Sequence, residues 1–444
     1  MKMKKYTLGV VVLILVSLLL PLCAVAKERP PVRIGLLYPI TGGMAAVGRE
    51  GLRAAEIAAD MVNERGGIWN GRKIELVTGD AADAEAARTE TERLCTVEKV
   101  KCILGVYSSS LAFVAHPIAN KYGVFFWESN AIAPRLRQMG HKYTFFFGPP
   151  AREYGYGSAR VLAEVVCPTI GVKPQDLRIA AVYQGTEWGK GSTSEAFIPK
   201  AKELGMNIVL DSPYDPKSLD FTPLVQKIKM LNPDVVEIQA YIDDGIRFFR
   251  DARKNALNPK VWVGNGAVFA DVPEAFEKFG SDMNYYLSTN QVAGGNIWNL
   301  SPSTQVQYRE FLKRYKQKYG KEMLGDTVVI WTAAIALFEY ILPAAGSLDP
   351  DKLAAAAYDL SLAHTHTARP GGIKFAPADA EYGNQNIRGG VMVRQIFNGK
   401  HYAIWPTEIA EIKVKLPSPP FGQREISAEE VKGRLLIPDE LLEY

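Results

Sequence analysis

The stretch Val32-Arg-Ile-Gly-Leu-Leu-Tyr-Pro-Ile-Thr-Gly-Gly-Met-Ala-Ala-Val-Gly48 decides the fold. Val32–Tyr38 is a short aliphatic run that reads as a buried strand. Pro39 to Gly43 break it, and apolar residues at helical spacing then run from Val47 to Asn63. A strand that turns through glycines into a helix is the first half of a β-α-β unit. The order recurs downstream: Lys73–Thr78, Val100–Val106, Val124–Trp127 and Tyr143–Phe147 read as strands, with helices over Ala84–Cys95 and Leu111–Tyr122 between them. Such alternation predicts a parallel sheet covered on both faces.

A second series has the same build. Ile179–Tyr183, Ile208–Asp211, Val235–Tyr241 and Val261–Val263 alternate with helices such as Gly191–Leu204 and Asp243–Asn255. Two α/β lobes follow, in keeping with a chain of 444 residues, which is long for one core. Beyond them lie a strand at Met283–Ser288, a helix over Ser301–Tyr319 and a long apolar helix over Gly325–Ala345. Val391–Trp405 reads as a hairpin turning at Asn398-Gly399, because Asn-Gly supplies the two positive φ angles of a type I′ turn. The tail at 411–444 is rich in proline and charge, with a short helix near Ser427–Arg434, and reads as a surface strap or a loosely held end.

At the N-terminus, basic Met1–Tyr6 precedes an apolar run from Leu8 to Leu22 and the small-x-small pattern Ala24-Val-Ala26, the order of a cleaved secretory leader over residues 1–26. Cys23 raises lipidation, but Leu22 stands where lipidated leaders carry a small residue. No later segment is read as a membrane span, so a soluble periplasmic protein is expected. The formal net charge of +4 falls to about +1 once Lys2, Lys4 and Lys5 leave with the leader, too little to attract nucleic acid. Cys95 and Cys102 are either a disulfide or two buried thiols, and Cys167 is left over.

Three chemical motifs fail. Tyr183-Gln-Gly-Thr-Glu-Trp-Gly-Lys-Gly-Ser-Thr193 lacks the spacing of a phosphate loop, since Gly191 stands where a hydroxyl must follow the lysine. His364-Thr-His366 reads as a surface loop before a Pro-Gly-Gly turn rather than as metal ligands. No Gly-x-Ser-x-Gly elbow follows a strand, so no enzyme and no cofactor are expected.

What recurs is polar and aromatic residues where strands end. Lobe one offers Tyr38, Tyr107 with Ser108, Ser109 and Ser110, then Glu128, Ser129 and Asn130; lobe two offers Trp188, Tyr241 with Asp243, and Asn265. Carboxyl ends of parallel strands share one rim, where helix N-termini present free N–H groups to an anion. Each residue also has a plainer role, the serines as helix caps and the aromatics as packing.

Ile34–Gly48, Ala59-Asp-Met-Val-Asn-Glu-Arg-Gly-Gly67, Ile103–Ser110 and Ile132-Ala-Pro-Arg-Leu136 together resemble the periplasmic leucine/isoleucine/valine-type binding proteins of ABC importers. The resemblance implies a periplasmic binding protein type I fold, two doubly wound parallel-sheet lobes joined by three hinge crossings near Phe147, Ser288 and Gly371. Lobe one would hold residues 28–147 and 289–368, lobe two 148–288 and 369–410, followed by a C-terminal extension at 411–444. It also implies a monomer that closes on a small molecule and delivers it to ABC permease subunits, or presents its closed form to a receptor or kinase.

The resemblance places Ser109 on the serine that holds a ligand carboxylate, with Ile132 where its threonine partner would stand. Trp188 and Tyr241 fall on two lobe-two tyrosines, Tyr154 joins the expected set, and the acid that pairs with an ammonium falls around Asn265-Gly266 and is missing. A buried ammonium without an anion would cost several kcal/mol. Either Glu128 or Asp243 replaces that acid, or the ligand has no α-amino group. With Phe125, Phe126, Trp127, Trp188 and Tyr241 nearby, an aromatic or apolar carboxylate also fits. Amino acids and other small organic acids or amides both stay open.

Overall fold

The computed structural model describes residues 29–438 apart from 267, 292–298, 321–322, 324 and 370. The expected leader at residues 1–26, with Cys23, lies outside the described residues. The first sheet is all parallel: β1 (Val32–Tyr38), β2 (Ile74–Asp80), β3 (Cys102–Gly105), β4 (Phe125–Glu128) and β5 (Thr144–Phe146) lie in the order β2-β1-β3-β4-β5. The second repeats this winding with β6 (Arg178–Gln184), β7 (Asn207–Tyr214), β8 (Val235–Gln239), β9 (Val261–Asn265) and β10 (Leu287–Asn290), ordered β7-β6-β8-β9-β10. Each order reverses once, between β1 and β3 and between β6 and β8, which opens a crevice at the carboxyl ends of the strands.

The second sheet is mixed rather than wholly parallel. After a small pair formed by β11 (Ser361–Leu362) and β12 (Ile373–Lys374), the hairpin β13 (Met392–Phe397) and β14 (Lys400–Trp405) adds antiparallel to the β10 edge. Its turn is the one read from the sequence, with φ of 51° at Asn398 and 76° at Gly399.

The chain passes between the sheets three times. It leaves the first after β5 and returns after β10 to lay the helices Pro302–Tyr319 and Gly325–Ala345 against the helix Ala45–Glu64. The last passage lies between Asn386 and Met392 rather than near Gly371, because the Asn386 amide still donates to Phe146 O of β5 at 2.9 Å. Gly325–Ala345, at 21 residues, is long and apolar enough to span a membrane, which corrects the expectation that no such segment follows the leader. Here it is a mostly buried core helix. The Thr327 hydroxyl donates to Glu50 of helix Ala45–Glu64 at 2.9 Å and fixes its head.

Phe125, Phe126 and Trp127, expected beside the ligand, are wholly buried in the lobe-one core. Trp127 stacks with Phe125 and donates to Ala333 O of the long helix at 2.9 Å. Burial of each such ring contributes about 2 kcal/mol or more. Cys95, Cys102 and Cys167 are free thiols, so the disulfide alternative falls. The first two face different cores: Cys102 belongs to the cluster with Trp127, whereas Cys95 packs with Leu94 and Ile103.

The tail is a strap rather than a loose end. Ile412 bridges to Leu435, the Ser418 amide donates to Lys260 O at 2.7 Å, and the Phe421 ring packs on Trp262 and Phe249. The buried Arg424 guanidinium lies over Phe421 and donates to Asp282 O at 2.8 Å.

Candidate ligand-binding cleft

The carboxyl rims of the two sheets face each other across one cavity. Tyr107, Ser109, Asn130, Ile132 and Asp326 line it from the side of the first sheet; Tyr154, Trp188, Tyr241, Gly266 and Val268 line it from the other, and Asn290 and Gln291 close it at the end of β10. Of the residues expected from sequence, the structure thus brings together Tyr107, Ser109, Asn130, Ile132, Tyr154, Trp188 and Tyr241.

The remaining expected residues lie behind the walls, each for a visible reason. Glu128 accepts from the backbone amides of Val106, Asn130 and Ala131 at 2.8 to 3.0 Å and meets His116 Nε2 at 2.8 Å, so both its oxygens serve the fold. The Tyr38 and Ser129 hydroxyls pair with each other at 2.8 Å, and those of Ser108 and Ser110 at 2.7 Å. Asn265 turns into lobe two, where its amide donates to Thr193 Oγ1 at 3.1 Å and Ser192 O at 3.2 Å. Asp243 occupies the first turn of the helix Ile242–Lys254, outside the lining, and is no replacement for the missing acid.

Ser109 has a defined polarity. Its Oγ accepts from the Ile132 and Ala133 amides at 3.2 and 3.1 Å, so its lone pairs are taken and its proton remains to be donated. It opens the helix Ser109–Lys121, which has no side-chain cap and so leaves its first-turn N–H groups and positive dipole end at the cleft. Such an arrangement can hold an acceptor group. Because amides, not a base, engage Ser109, it is not set up as a nucleophile.

Across the cavity the walls are aromatic, with the Trp188 and Tyr241 ring centroids 4.4 Å apart. Several buried polar atoms on the lining have no partner among the described residues: both amide atoms of Asn130, Nε1 of Trp188 and Oε1 of Gln291. Natural interiors satisfy such groups with few exceptions, so these four atoms are available to a molecule held in the cavity. Asn290 is fixed from behind, donating to Asp271 at 2.7 Å, and Asp271 is in turn ion-paired with Arg394 at 2.7 Å.

The lining also holds an acid that the sequence reading missed. Asp326, at the head of the helix Gly325–Ile335, accepts from the Tyr107 hydroxyl at 2.7 Å, and burial pushes its carboxyl up to about 6. Burial and this same carboxylate hold the Tyr107 hydroxyl well above its ordinary range. The available signal was slight, a lone acid at the head of an otherwise apolar helix. Asn290 and Gln291 were within reach of the rule that found Asn130, since they end a parallel strand.

A family model described as periplasmic binding protein matches residues 31–395. The Leu/Ile/Val-binding protein homolog 8 of Brucella abortus (strain 2308) is 30% identical over 385 residues, covering 86% of this chain and 93% of its own. Among solved structures, a leucine-binding protein from Thermotoga maritima MSB8 aligns with a TM-score of 0.70 at 23% identity, over 85% of this chain and 99% of that one. A solute-binding protein from R. palustris, solved with benzoate, aligns with a TM-score of 0.68 at 18% identity, over 90% and 99%. With two like-wound lobes, three passages between them and a family match that spans most of its length, this chain belongs to the periplasmic binding protein family.

Proposed function

We propose that the chain is exported behind its leader and works outside the cytoplasm as a monomeric solute-binding protein, capturing a small organic ligand between its lobes and delivering it to the membrane subunits of an ABC permease. The observation that carries this reading is the cleft itself. Ser109, Asn130, Trp188 and Gln291 converge on it with donors and acceptors that the fold leaves unused. Site residues on this reading are Tyr107, Ser109, Asn130, Ile132, Tyr154, Trp188 and Tyr241, joined by Asp326, Asn290 and Gln291. The uncapped helix end and Ser109 take the ligand's carboxyl or carbonyl group, and the aromatic rings enclose its apolar part. The relatives named for leucine and solved with benzoate bracket the size of such a ligand.

A thermal-shift screen of the leaderless chain against amino acids, aromatic acids and small amides tests this. A ligand present at about 100 times its Kd adds about 2.7 kcal/mol and raises the midpoint by several degrees. The shift should vanish in Trp188→Ala, which removes one wall. A panel that moves nothing, or a shift indifferent to that change, overturns the reading.

A further inference from the structure

Within that reading, we propose that the ligand presents an uncharged carboxamide to Asn130, which selects it over the matching carboxylate. Asn130 stands on a loop that is held in place before anything binds. Glu128 accepts from the amides of Asn130 and Ala131 at 2.9 and 2.8 Å, and Ser109 Oγ from those of Ile132 and Ala133 at 3.2 and 3.1 Å, so four successive N–H groups are fixed by buried side chains. The Asn130 side chain, 6% exposed and on the cavity wall, is the part of this loop that the fold does not use: neither Oδ1 nor Nδ2 has a partner among the described residues. A donor and an acceptor side by side on one plane are both satisfied by a group that offers the reverse pair. A primary carboxamide does so with two parallel hydrogen bonds.

The other free atoms on the lining fit the same group. Oε1 of Gln291 is a second unpartnered acceptor, and it faces the same loop: a Cβ on Gly148 would stand 3.1 Å from it, 3.2 Å from Ser129 O and 3.4 Å from Ile132 Cγ2. Nε1 of Trp188 and the Ser109 hydroxyl are free to donate. The two N–H hydrogens of a carboxamide match the acceptors Asn130 Oδ1 and Gln291 Oε1, and the lone pairs of its carbonyl match the donors. A carboxylate only accepts, so it would set an oxygen against Asn130 Oδ1 and leave both acceptors buried and unpaired.

Charge points the same way. Asp326 is the one charged side chain among the described lining residues. Behind Tyr154 stands the buried guanidinium of Arg369, whose Nε and Nη2 have no partner among the described residues, and Tyr154 feels both charges. The two offset each other across the cavity, as Asp271 and Arg394 do in their ion pair at 2.7 Å behind Asn290. A ligand of either net charge would therefore upset a balanced site, and Arg369, off the lining, offers a carboxylate no hydrogen bond there.

Isothermal titration calorimetry of the leaderless chain with matched probes tests the assignment: benzamide, benzoate and acetophenone in one set, 4-methylpentanamide, 4-methylpentanoate and L-leucine in the other. Acetophenone is neutral and carries a methyl group in place of the amide nitrogen, so it separates the lost donor from the added charge. At about pH 7.5 the carboxamide of each set should bind at least roughly 30-fold tighter than its partners, which is about 2 kcal/mol. Asn130→Leu should bring benzamide and acetophenone within about threefold of each other. The ligand-free thermal midpoint of that variant should not fall, because the side chain makes no hydrogen bond in the fold. A carboxylate, ketone or amino acid that binds as tightly as its carboxamide overturns the assignment and leaves the cleft reading standing, and this comparison needs only the parent chain. A preference that survives Asn130→Leu, or a midpoint that falls in it, overturns the role of Asn130 likewise. Binding by none of the probes overturns the cleft reading and the assignment with it.

Discussion

Asp326 lines the cleft at a cost to the fold. Its folded value of about 6 lies above the ordinary 3.8, so the folded state prefers the protonated form. The penalty is full above about pH 6 and fades as pH falls toward the unfolded value. Asp326→Asn, which keeps an acceptor for Tyr107, should therefore stabilise the ligand-free chain by roughly 1 to 3 kcal/mol at neutral pH. That gain should vanish near about pH 4, as urea melts at several pH values would show; a loss at neutral pH would mean the carboxylate is a structural asset. Ser109 runs the other way. Ser109→Ala strands the Ile132 and Ala133 amides and should lower stability by about 1 to 3 kcal/mol as well as weaken binding. Unchanged stability would show that water replaces the hydroxyl. Ser109 was legible because it lies in a run of hydroxyls just after an apolar strand. Asp326 was not, because it reaches the cleft from a helix more than two hundred residues further along the chain, where an acid in a first turn looks like an ordinary cap.

At the scale of elements, alternation made the strands legible, since a parallel sheet needs apolar runs at regular intervals, and Asn398-Gly399 gave the hairpin. The helix Ala151–Val161 was not legible. It carries Gly155 and Gly157, residues that weaken a helix in isolation, and a Cβ on Gly155 would stand 2.2 Å from Ser192 O of the facing helix, so the glycine permits close packing. Gly191, in the π-helical turn Lys190–Phe197, plays the same part between the lobes. A Cβ there would stand 2.7 Å from Pro134 Cδ beside the first rim, and Arg135 pairs with Glu187 at 3.5 Å across the same seam. Gly191→Val should hold the lobes apart. A shift of about 1.4 kcal/mol away from the closed state lowers apparent affinity about tenfold, while the ligand-free thermal midpoint moves little. Calorimetry with small-angle scattering checks both, and native affinity in the variant would show that this seam does not limit closure.

For the whole molecule, the strap and the cleft occupy opposite ends of the second sheet. Ser418 and Phe421 bond to Lys260 O and Asn258, which precede β9, whereas Gly266 and Val268, which follow it, line the cavity. Nothing in the proline-rich tail distinguished a strap from a loose end, because its order comes from contacts with Trp262, Phe249 and Asp282, which lie far away in sequence. The strap therefore bears on the stability of lobe two and not on recognition. Phe421→Ala removes the ring that covers Trp262 and carries Arg424, leaving that guanidinium buried without its stacking partner. The loss should be about 2 to 4 kcal/mol. Ligand affinity, measured well below the melting transition, should stay within about twofold of the parent. A large fall in affinity at unchanged stability would place the strap in the closure equilibrium. The lobes would then be coupled to the tail through β9 itself, which runs from the strap to the cleft and is the shortest physical path between them.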